Sequence, residues 1–370
     1  MIALLLPWRP WSTRERIEPS RPFGIGSDNP TPAVSVLIPA RNEAATIRQT
    51  LESVVTQPGV ASVVVVDDQS DDDTAAIVGD IAGETVDVRL IRGQPTPPGW
   101  SGKLWAQQQG LAAIDSPLVL LIDADIRLAR GMLPVLVEKL ERERLDQVSI
   151  MASLPASSWP EKLMLPAFVY FFKQIYPFAW VNRDDRPFAA AAGGCVLVRR
   201  ESLEKAGAFE AWKDALIDDC ELASRLRAVG GRIWLGLSHG VMSLRRHPDL
   251  VSILETVRRT AYTQLRHSPW LLLAVVVVML VVFAGPPVAT MLGFFAGDAG
   301  LVFAGLAGWL LMALSFLPQV HFSGLGVQWA LLLPVSAMLF LVATVDSAIR
   351  HHFGSGADWK GRRYDRRDNR

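Results

Sequence analysis

Short apolar runs alternate with segments of helical periodicity in the N-terminal part of the chain. The runs have the length and the β-branched content of strands that are buried on both faces. They cover residues 34–38, 63–66, 88–91, 119–122 and 148–151. The segments between them predict helices over residues 43–56, from residues 70–73 onward, over 101–114 and over 130–144, with Asn42 as N-cap of the first. This alternation predicts the α/β class, with an open, mostly parallel sheet.

The C-terminal part has a different pattern, because long apolar stretches replace the short ones. Three stretches lie near residues 270–295, 301–318 and 328–345, and they are nearly free of charge. A helix needs roughly 20 apolar residues to cross a bilayer, so the pattern predicts a transmembrane helical region. Five arginines precede these stretches and seven basic residues follow them, which the positive-inside rule places together in the cytoplasm. Either Gly285-Pro286-Pro287 breaks the first stretch into a re-entrant pair, or one end disobeys the rule.

These patterns divide the chain into five parts. A membrane-proximal segment (1–30) precedes an α/β domain (31–245), an interfacial amphipathic helix (246–268), the transmembrane helices (269–349) and a basic tail (350–370). The apolar run 2–6 is too short to span a bilayer and lacks a signal-peptide cleavage pattern. It predicts an interfacial foot or the remnant of a longer anchor. The aromatic segment 163–180 predicts either a helix at a membrane surface or a core or pocket helix, and both alternatives stay open.

Composition excludes some classes of protein. The 370 residues include 37 Lys and Arg against 37 Asp and Glu, so the chain has no net charge and a basic nucleic-acid binder is disfavoured. The two cysteines, Cys195 and Cys220, do not provide a disulfide scaffold and fit a reducing compartment. No G-x-G-x-x-G follows a strand, and no His/Cys cluster has the spacing of a zinc site.

Candidate chemistry lies in three acidic pairs. Asp67-Asp68 and Asp123-Ala124-Asp125 follow predicted strands, and Asp218-Asp219 opens a predicted helix. Ligands of parallel sheets bind at the carboxyl ends of the strands, so the first two pairs should share a crevice that the third can join. Crowded carboxylates need a cation, and oxygen ligands suit Mg²⁺ or Mn²⁺. The sequence therefore predicts a divalent-cation site for a phosphorylated ligand.

The spacing suggests different tasks for these carboxylates. In an extended chain Asp123 and Asp125 point to opposite sides, so that one can reach a ribose and the other a metal. Asp219 can act as a general base for an acceptor hydroxyl, although the helix dipole alone favours acids in a first turn. Lys103, in a Gly-containing loop without Walker A spacing, can meet a phosphate. Gly193-Gly194 permits close backbone approach, either beside an acceptor pocket or in a tight turn.

Taken together, these residues resemble the family 2 glycosyltransferases, the inverting enzymes of the GT-A group. The resemblance covers about 34–231 and rests on these motifs: residues 34–43, Val66-Asp67-Asp68-Gln69-Ser70, Asp123-Ala124-Asp125 and residues 218–226. The loop at residues 98–103 and the three apolar stretches narrow it to the hopene-associated glycosyltransferases of bacterial hopanoid clusters and their lipid-modifying relatives. The fold implied is a Rossmann-like GT-A domain followed by transmembrane helices.

The resemblance also implies residue roles. Asp219 would be the catalytic base, and Asp218 stands where relatives carry Glu. Asp125 would bind the metal. The residues implied for nucleotide-sugar binding are Pro39, Arg41, Glu43, Asp67 or Asp68 at the base, Lys103 near the diphosphate, Asp123 at the ribose, and Arg259. Arg259 fits the Arg of a (Q/R)-x-x-R-W motif whose first and last positions are Thr256 and Thr260 here, and this departure disfavours processive polymer synthesis.

The implied function is transfer of a sugar from a nucleotide-diphospho-sugar, UDP-linked, to a membrane lipid hydroxyl in hopanoid or related glycolipid synthesis. The implied partners are this donor, a lipid acceptor and the cytoplasmic membrane, with no nucleic acid. Two alternatives remain. One is another enzyme of the same fold, either a polyprenyl-phosphate sugar transferase or a polysaccharide synthase, and the other is a non-catalytic membrane scaffold.

Overall fold

The computed structural model describes residues 8–19, 32–82 and 87–353, together with the backbone of two short strands, Ala357–Trp359 and Arg362–Tyr364. The predicted foot at 2–6 and most of the basic tail lie outside the described residues. The chain forms two compact units. The sheet unit comprises Arg14–Leu154 and Phe178–Arg245, and the helical unit comprises Met1–Thr13, Pro155–Pro177 and Arg246–Arg370. This division differs from the predicted one, because residues 155–177 belong with the C-terminal helices.

The sheet unit is built on a mixed sheet of eight strands in the order β3-β2-β1-β4-β7-β6-β8-β5. The strands are β1 Val34–Ala40, β2 Val60–Asp67, β3 Asp87–Arg92, β4 Leu118–Ile122, β5 Ile126–Leu128, β6 Gln147–Ser153, β7 Cys195–Arg199 and β8 Ile233–Ser243. The first four are mutually parallel, as predicted. The other half is not all parallel, because β7 runs antiparallel to both β4 and β6, and β5 runs antiparallel to β8.

Burial of the apolar runs holds this sheet together. Val63, Val64, Val65 and Val66 are all fully buried, which requires cover on both faces of β2. The helices that connect the strands provide this cover. They are α1 Ile47–Val55, α2 Thr74–Ile81, α3 Gly102–Leu111, α4 Met132–Arg142, α6 Phe178–Val181, α7 Arg200–Lys205 and α8 Asp218–Ala228, with a 3₁₀ turn at Phe209–Trp212.

The start of α1 corrects one prediction. The helix begins at Ile47 with Thr46 as its N-cap residue, so Asn42 does not cap it. Asn42 instead has a left-handed φ of 51°, and its side-chain oxygen accepts a hydrogen bond from the backbone N–H of Asp71 at 2.9 Å. Asn tolerates this conformation better than most residues. Asn42 therefore ties the loop after β1 to the loop after β2.

The helical unit contains the long apolar helices. Its elements are α5 Trp159–Ile175, α9 Leu250–Gln264, α10 Pro269–Met279, α11 Gly285–Ala296, α12 Ala299–Phe322 and α13 Leu333–Phe353. Within the part of the chain that the structure describes, three helices are long and apolar enough to cross a membrane: Pro269–Ala296, Ala299–Phe322 and Val327–Phe353. The first runs without a break, because a π-helical turn at Leu280–Ala284 joins α10 to α11. The re-entrant pair proposed at Gly285-Pro286-Pro287 is therefore not formed.

The aromatic helix α5 packs against these apolar helices. Phe171 contacts Phe283 and Phe340 edge-to-face, with ring centroids 5.4 and 5.2 Å apart. The Tyr170 hydroxyl lies 2.8 Å from the Ser315 hydroxyl, and both side chains are buried. This burial favours the core alternative for the segment 163–180 over a helix lying free on a membrane surface.

Candidate active site

The carboxyl ends of the parallel strands carry several of the predicted site residues. Pro39 is the second-to-last residue of β1, Asp67 ends β2, and Asp123 follows β4 directly. Since β1 pairs in parallel with both β2 and β4, these ends share one edge of the sheet. The sequence prediction that the first two acidic pairs meet in one region is therefore consistent with the strand order.

Asp123 and Asp125 are separated by a turn rather than by extended chain. The N–H of Ile126 donates to the carbonyl of Asp123 at 3.1 Å, so the strand ends at Ile122 and resumes as β5. The predicted extended geometry is therefore wrong, although the two carboxylates do have different partners, Lys103 at Asp123 and Arg245 at Asp125. The N–H of Asp123 also donates to the carbonyl of Gly194 at 3.2 Å, which brings the glycine pair to this turn.

Lys103 connects two of the three acidic pairs. Its Nζ lies 3.0 Å from Asp123 Oδ1 and 3.1 Å from Asp218 Oδ2. It stands in the first turn of α3, whose N-cap Ser101 accepts a hydrogen bond from the N–H of Leu104. Burial alone would lower the pKa of the Lys103 ammonium, but the charges of Asp123 and Asp218 outweigh it and raise the pKa. Lys103 is thus a permanent cation between carboxylates that would otherwise repel each other.

Asp219 is held by backbone donors at the start of α8. The N–H of Gly193 donates to Oδ2 at 2.7 Å, and the N–H of Cys220 donates to Oδ1 at 2.8 Å. Burial and the neighbouring charge of Asp218 raise the pKa of Asp219 to about 6, while Lys103 and the two N–H donors limit the rise. A carboxyl group with such a pKa is ionised near neutral pH and is a stronger base than an exposed Asp.

Arg245 forms an ion pair with the other acid of the Asp123–Asp125 turn. Its Nε lies 2.8 Å from Asp125 Oδ2, and its Nη2 lies 3.5 Å from Glu43 Oε1. Asp125 is buried, and this burial raises its pKa although the charge of Arg245 opposes the rise. The acids and bases of the site thus form one chain of contacts that runs from Glu43 through Arg245 and the Asp125–Asp123 turn to Lys103 and Asp218.

The donor atoms of this chain fit a divalent cation. Carboxylate oxygens are the ligands that Mg²⁺ and Mn²⁺ prefer, and Mg²⁺ commonly uses one or two carboxylates together with substrate phosphates. Among the residues that the structure describes, no three His, Cys, Asp or Glu side chains gather around a point that could hold a metal by protein ligands alone. Asp125, with Asp123 beside it, could therefore hold an ion that a diphosphate completes.

The residues after β1 and β2 form a separate group. Asp67 is buried and accepts from Arg92 Nη1 at 3.0 Å and from the N–H of Ser70 at 3.3 Å, so both of its carboxylate oxygens are engaged. Arg41 Nη1 donates to the carbonyls of Asp68 and Gln69 at 2.6 and 3.0 Å. These contacts fix the loop that would border the base of a nucleotide. Asp68 is buried as well.

Two residues of the site escaped the sequence analysis in this role. Arg245 counted there only as part of the basic cluster before the apolar stretches. For Gly193 the sequence left two alternatives open, a residue beside an acceptor pocket or a residue in a tight turn. In the structure the N–H of Gly193 donates to Asp219 Oδ2. Arg259 lies on α9, which belongs to the helical unit.

A side chain at Gly193 would press on Asp219. A Cβ at this position would lie 3.3 Å from Asp219 Oδ2, so this carboxylate would have to move by a few tenths of an ångström, whereas Lys103 Nζ, at 3.4 Å, would be in ordinary contact. We expect Gly193→Ala to lower the turnover of a nucleotide sugar about tenfold, because small misplacements of reacting groups are costly. Gly79→Ala is the matched control, since a Cβ at Gly79 meets nothing within 4 Å. Equal turnover of the two variants would show that this backbone contact does not position Asp219.

Comparison with known proteins shows which proteins this domain is similar to. Residues 35–207 match the model of the family described as glycosyl transferase family 2. The chain is 29% identical over 210 residues to the probable glycosyltransferase YdaM of Bacillus subtilis, covering 55% of this chain and 48% of that protein. It is 26% identical over 203 residues to a beta-monoglucosyldiacylglycerol synthase of Trichormus variabilis, covering 53% of this chain and 41% of that protein. The chain spans about half the length of the curated relatives it matches.

A solved structure extends the comparison to the fold. The mannosyltransferase PcManGT of Pyrobaculum calidifontis, determined in complex with GDP-Man and Mn²⁺, superposes with a TM-score of 0.54 at 18% identity. The match covers 95% of this chain and 94% of that one. The predicted fold, GT-A with apolar C-terminal helices, is confirmed. Residues 35–207 are thus similar to the family 2 glycosyltransferases.

Proposed function

We propose that the protein is an inverting glycosyltransferase that moves a hexosyl or N-acetylhexosaminyl group from a nucleotide-diphospho-sugar to the hydroxyl of a membrane lipid. One observation carries this proposal. Lys103 joins Asp123 to Asp218, and next to them stands Asp219, a carboxylate with a raised pKa that two backbone donors hold in place. Sugar transfer from a diphosphate requires a base for the acceptor hydroxyl and, close to it, groups that bind the diphosphate.

In the proposed reaction Asp219 accepts the proton of the acceptor hydroxyl. The hydroxyl oxygen then forms a bond with the anomeric carbon of the donor sugar, from the face opposite to the diphosphate. The bond between this carbon and the diphosphate oxygen breaks, and its electron pair leaves with the nucleoside diphosphate. One displacement with one base inverts the configuration of the anomeric carbon. Asp218 supports Asp219 indirectly, because it anchors Lys103 beside it.

Charge at the leaving group is the second requirement. A divalent cation, Mg²⁺ or Mn²⁺, would be held by Asp125 with Asp123 beside it, and it would supply positive charge that neutralises the diphosphate. Lys103 adds a second positive charge at the same turn. The comparison structure of PcManGT supports this assignment only as a general property of the GT-A fold, since its crystals contain Mn²⁺ and GDP-Man.

The remaining predicted residues would bind the nucleotide. We assign the base to the loop fixed by Asp67, Asp68 and Arg41, and the ribose to Asp123. Pro39 and Glu43 border the same strand ends. We propose a UDP-linked donor, and Arg259 as an additional residue that binds it.

A lipid acceptor is supported by both sequence and structure. One relative is a beta-monoglucosyldiacylglycerol synthase, and three helices of this chain are long and apolar enough to cross a membrane. We propose a multi-pass protein of the inner membrane with its catalytic unit in the cytoplasm, α5 and α9 as the helices that meet the lipid, and a hopanoid or related polycyclic alcohol as acceptor. The hopanoid assignment rests on the loop at residues 98–103 and the three C-terminal helices.

Turnover with defined donors and acceptors tests this proposal. The full chain in lipid nanodiscs is incubated with radiolabelled UDP-glucose, UDP-N-acetylglucosamine or GDP-mannose, and with a hopanoid alcohol, diacylglycerol or polyprenyl phosphate. We expect a single sugar on a lipid alcohol, with the opposite anomeric configuration to the donor. Lipid mass spectrometry of cells with and without the protein should show the same mass difference of one sugar.

The other outcomes separate the alternatives. A labelled polymer would identify a polysaccharide synthase, and labelled polyprenyl phosphate would identify a sugar transferase of that kind. Absence of turnover with every donor, from a chain that binds UDP, would support a non-catalytic scaffold. Retained anomeric configuration would reject the single displacement and the role of Asp219.

A further inference from the structure

The ion pair between Arg245 and Asp125 carries an inference about how the proposed metal reaches its ligand. The Asp125 side chain is 10% exposed, and its Oδ2 lies 2.8 Å from Arg245 Nε. A carboxylate at this depth needs a cation close by, and in this structure the guanidinium of Arg245 is that cation. A divalent ion would have to bind the same carboxylate.

Backbone pairing fixes Arg245 at this position. Ser243 pairs with Ile126 where β8 meets β5, and the N–H of Leu244 donates to the carbonyl of Asp125 at 2.7 Å. The backbone pairing thus places residue 245 next to the Asp123–Asp125 turn. Its contact with Asp125 is not an accident of a long surface side chain, although 41% of the Arg245 side chain remains exposed.

The charges of the site also favour exchange over permanent pairing. Four carboxylates belong to the contact chain described above, namely Glu43, Asp123, Asp125 and Asp218, and Asp219 stands next to it. Lys103 and Arg245 are cations in contact with members of this group. This concentration of carboxylates attracts a divalent ion, and Glu43 provides a second carboxylate, 3.5 Å from Nη2, that can keep Arg245 nearby after release.

We propose that Arg245 is an internal counter-ion of Asp125, which neutralises this carboxylate before the divalent cation binds and must release it when the ion arrives. Metal binding is then an exchange of one cation for another, and Arg245 sets the affinity of the site by opposing the ion. Arg245 is a positioning residue in this scheme, since it acts through Asp125. The inference rests on the proposed function in one respect, that Asp125 takes the metal.

Binding of Mn²⁺ alone to Asp125 and Asp123, a weaker site than the one that a donor diphosphate would complete, tests the exchange. Free Mn²⁺ is measured by electron paramagnetic resonance in titrations of the full chain at about pH 8. We expect Arg245→Gln to bind Mn²⁺ more tightly than wild type, by on the order of tenfold, because removal of a partly exposed competing charge is worth about that much. Arg245→Lys retains the charge and should bind Mn²⁺ nearly as wild type does. Arg246→Gln makes the same substitution one residue further on and is the matched control.

A second readout and a second variant keep the test decisive. The stabilisation of the chain by added Mn²⁺, measured as a shift in Tm, should be larger for Arg245→Gln than for wild type, since it grows with affinity. If that variant does not fold, Glu43→Gln replaces it, and we expect several-fold weaker Mn²⁺ binding because Arg245 loses its alternative partner. Unchanged or weaker Mn²⁺ binding by Arg245→Gln, or unchanged binding by Glu43→Gln, would overturn the counter-ion role.

The Mn²⁺ titration and the turnover assay can reject the exchange and the proposed function separately. A wild-type chain that transfers sugar, with Mn²⁺ affinity indifferent to Arg245→Gln, would reject the exchange and leave the proposed function intact. A chain without turnover whose Mn²⁺ affinity rises in Arg245→Gln would reject the function and leave the exchange intact. Asp125→Asn should abolish the Mn²⁺ site in either case, and undiminished binding by this variant would show that the exchange does not take place at Asp125.

Discussion

Replacement of Asp219 by Asn should lower the rate of sugar transfer by about 10²- to 10⁴-fold, the usual contribution of a positioned general base. Asn cannot accept the proton of the attacking hydroxyl, yet it fills the same space. Binding of the nucleotide should survive, because the contacts assigned to the nucleotide lie at the other acidic residues. The measurement is single-turnover transfer from a labelled donor, together with the Kd of UDP for the same variant.

A matched control comes from the same stretch of chain. Asp214 is exposed and lies just before α8, so Asp214→Asn removes an equal charge without touching the cluster. It should transfer sugar at the wild-type rate. Wild-type turnover by Asp219→Asn would reject the assignment of the base, and loss of UDP binding by the same variant would point to a structural role instead.

Stability supplies an independent check on Asp219. Its folded pKa of about 6 lies above the ordinary pKa of an aspartate, about 3.9, so ionisation disfavours the folded state. This penalty is absent at low pH, grows as pH rises from about 4 to about 6, and is complete above that range. Asp219→Asn should therefore be more stable than wild type at neutral pH, by on the order of 1 kcal/mol after solvent screening. The gain should disappear near pH 4, whereas loss of a merely structural contact would destabilise the variant at every pH.

Chain order made part of this site predictable. Asp67 and Asp123 each follow an apolar run, and a parallel arrangement of such runs places their ends at one edge. Asp218 and Asp219 open a helix, as their position before an amphipathic segment indicates. The sequence could not show the turn at Asp123, because the three residues Asp123-Ala124-Asp125 are compatible with both an extended and a turn conformation.

The residues that were missed depend on pairings between distant segments. Arg245 reaches Asp125 only because β5 and β8 pair antiparallel, and β5 is three residues long, too short for a periodic pattern. The sequence analysis did not predict β7 either. Because β7 lies between β4 and β6, the preceding Gly193-Gly194 pair contacts Asp123 and Asp219. Local propensity carries no information about such contacts.

Removal of the Lys103 charge is the second change that we expect to have a large effect on sugar transfer. Lys103→Met keeps the length and the apolar stem of the side chain but removes the charge that Asp123 and Asp218 share. Loss of one partner from a poorly solvated ion pair costs about 3–5 kcal/mol. These two carboxylates are partly exposed, so we expect transfer to fall by the lower end of the corresponding range, about 10²-fold. Lys205→Met, on the exposed face of α7, is the matched control and should leave transfer unchanged.

The pH profile distinguishes an electrostatic role of Lys103 from a structural one. The charge of Lys103 lowers the pKa of Asp219, in opposition to burial and to Asp218. Without it the pKa of Asp219 rises, so the acidic limb of kcat/KM should move to higher pH in Lys103→Met and return toward the wild-type position in Lys103→Arg. A variant with reduced kcat/KM but an unshifted acidic limb would mean that Lys103 acts on the donor alone. In that case Lys103 would not limit the rise in the pKa of Asp219 that burial and Asp218 cause.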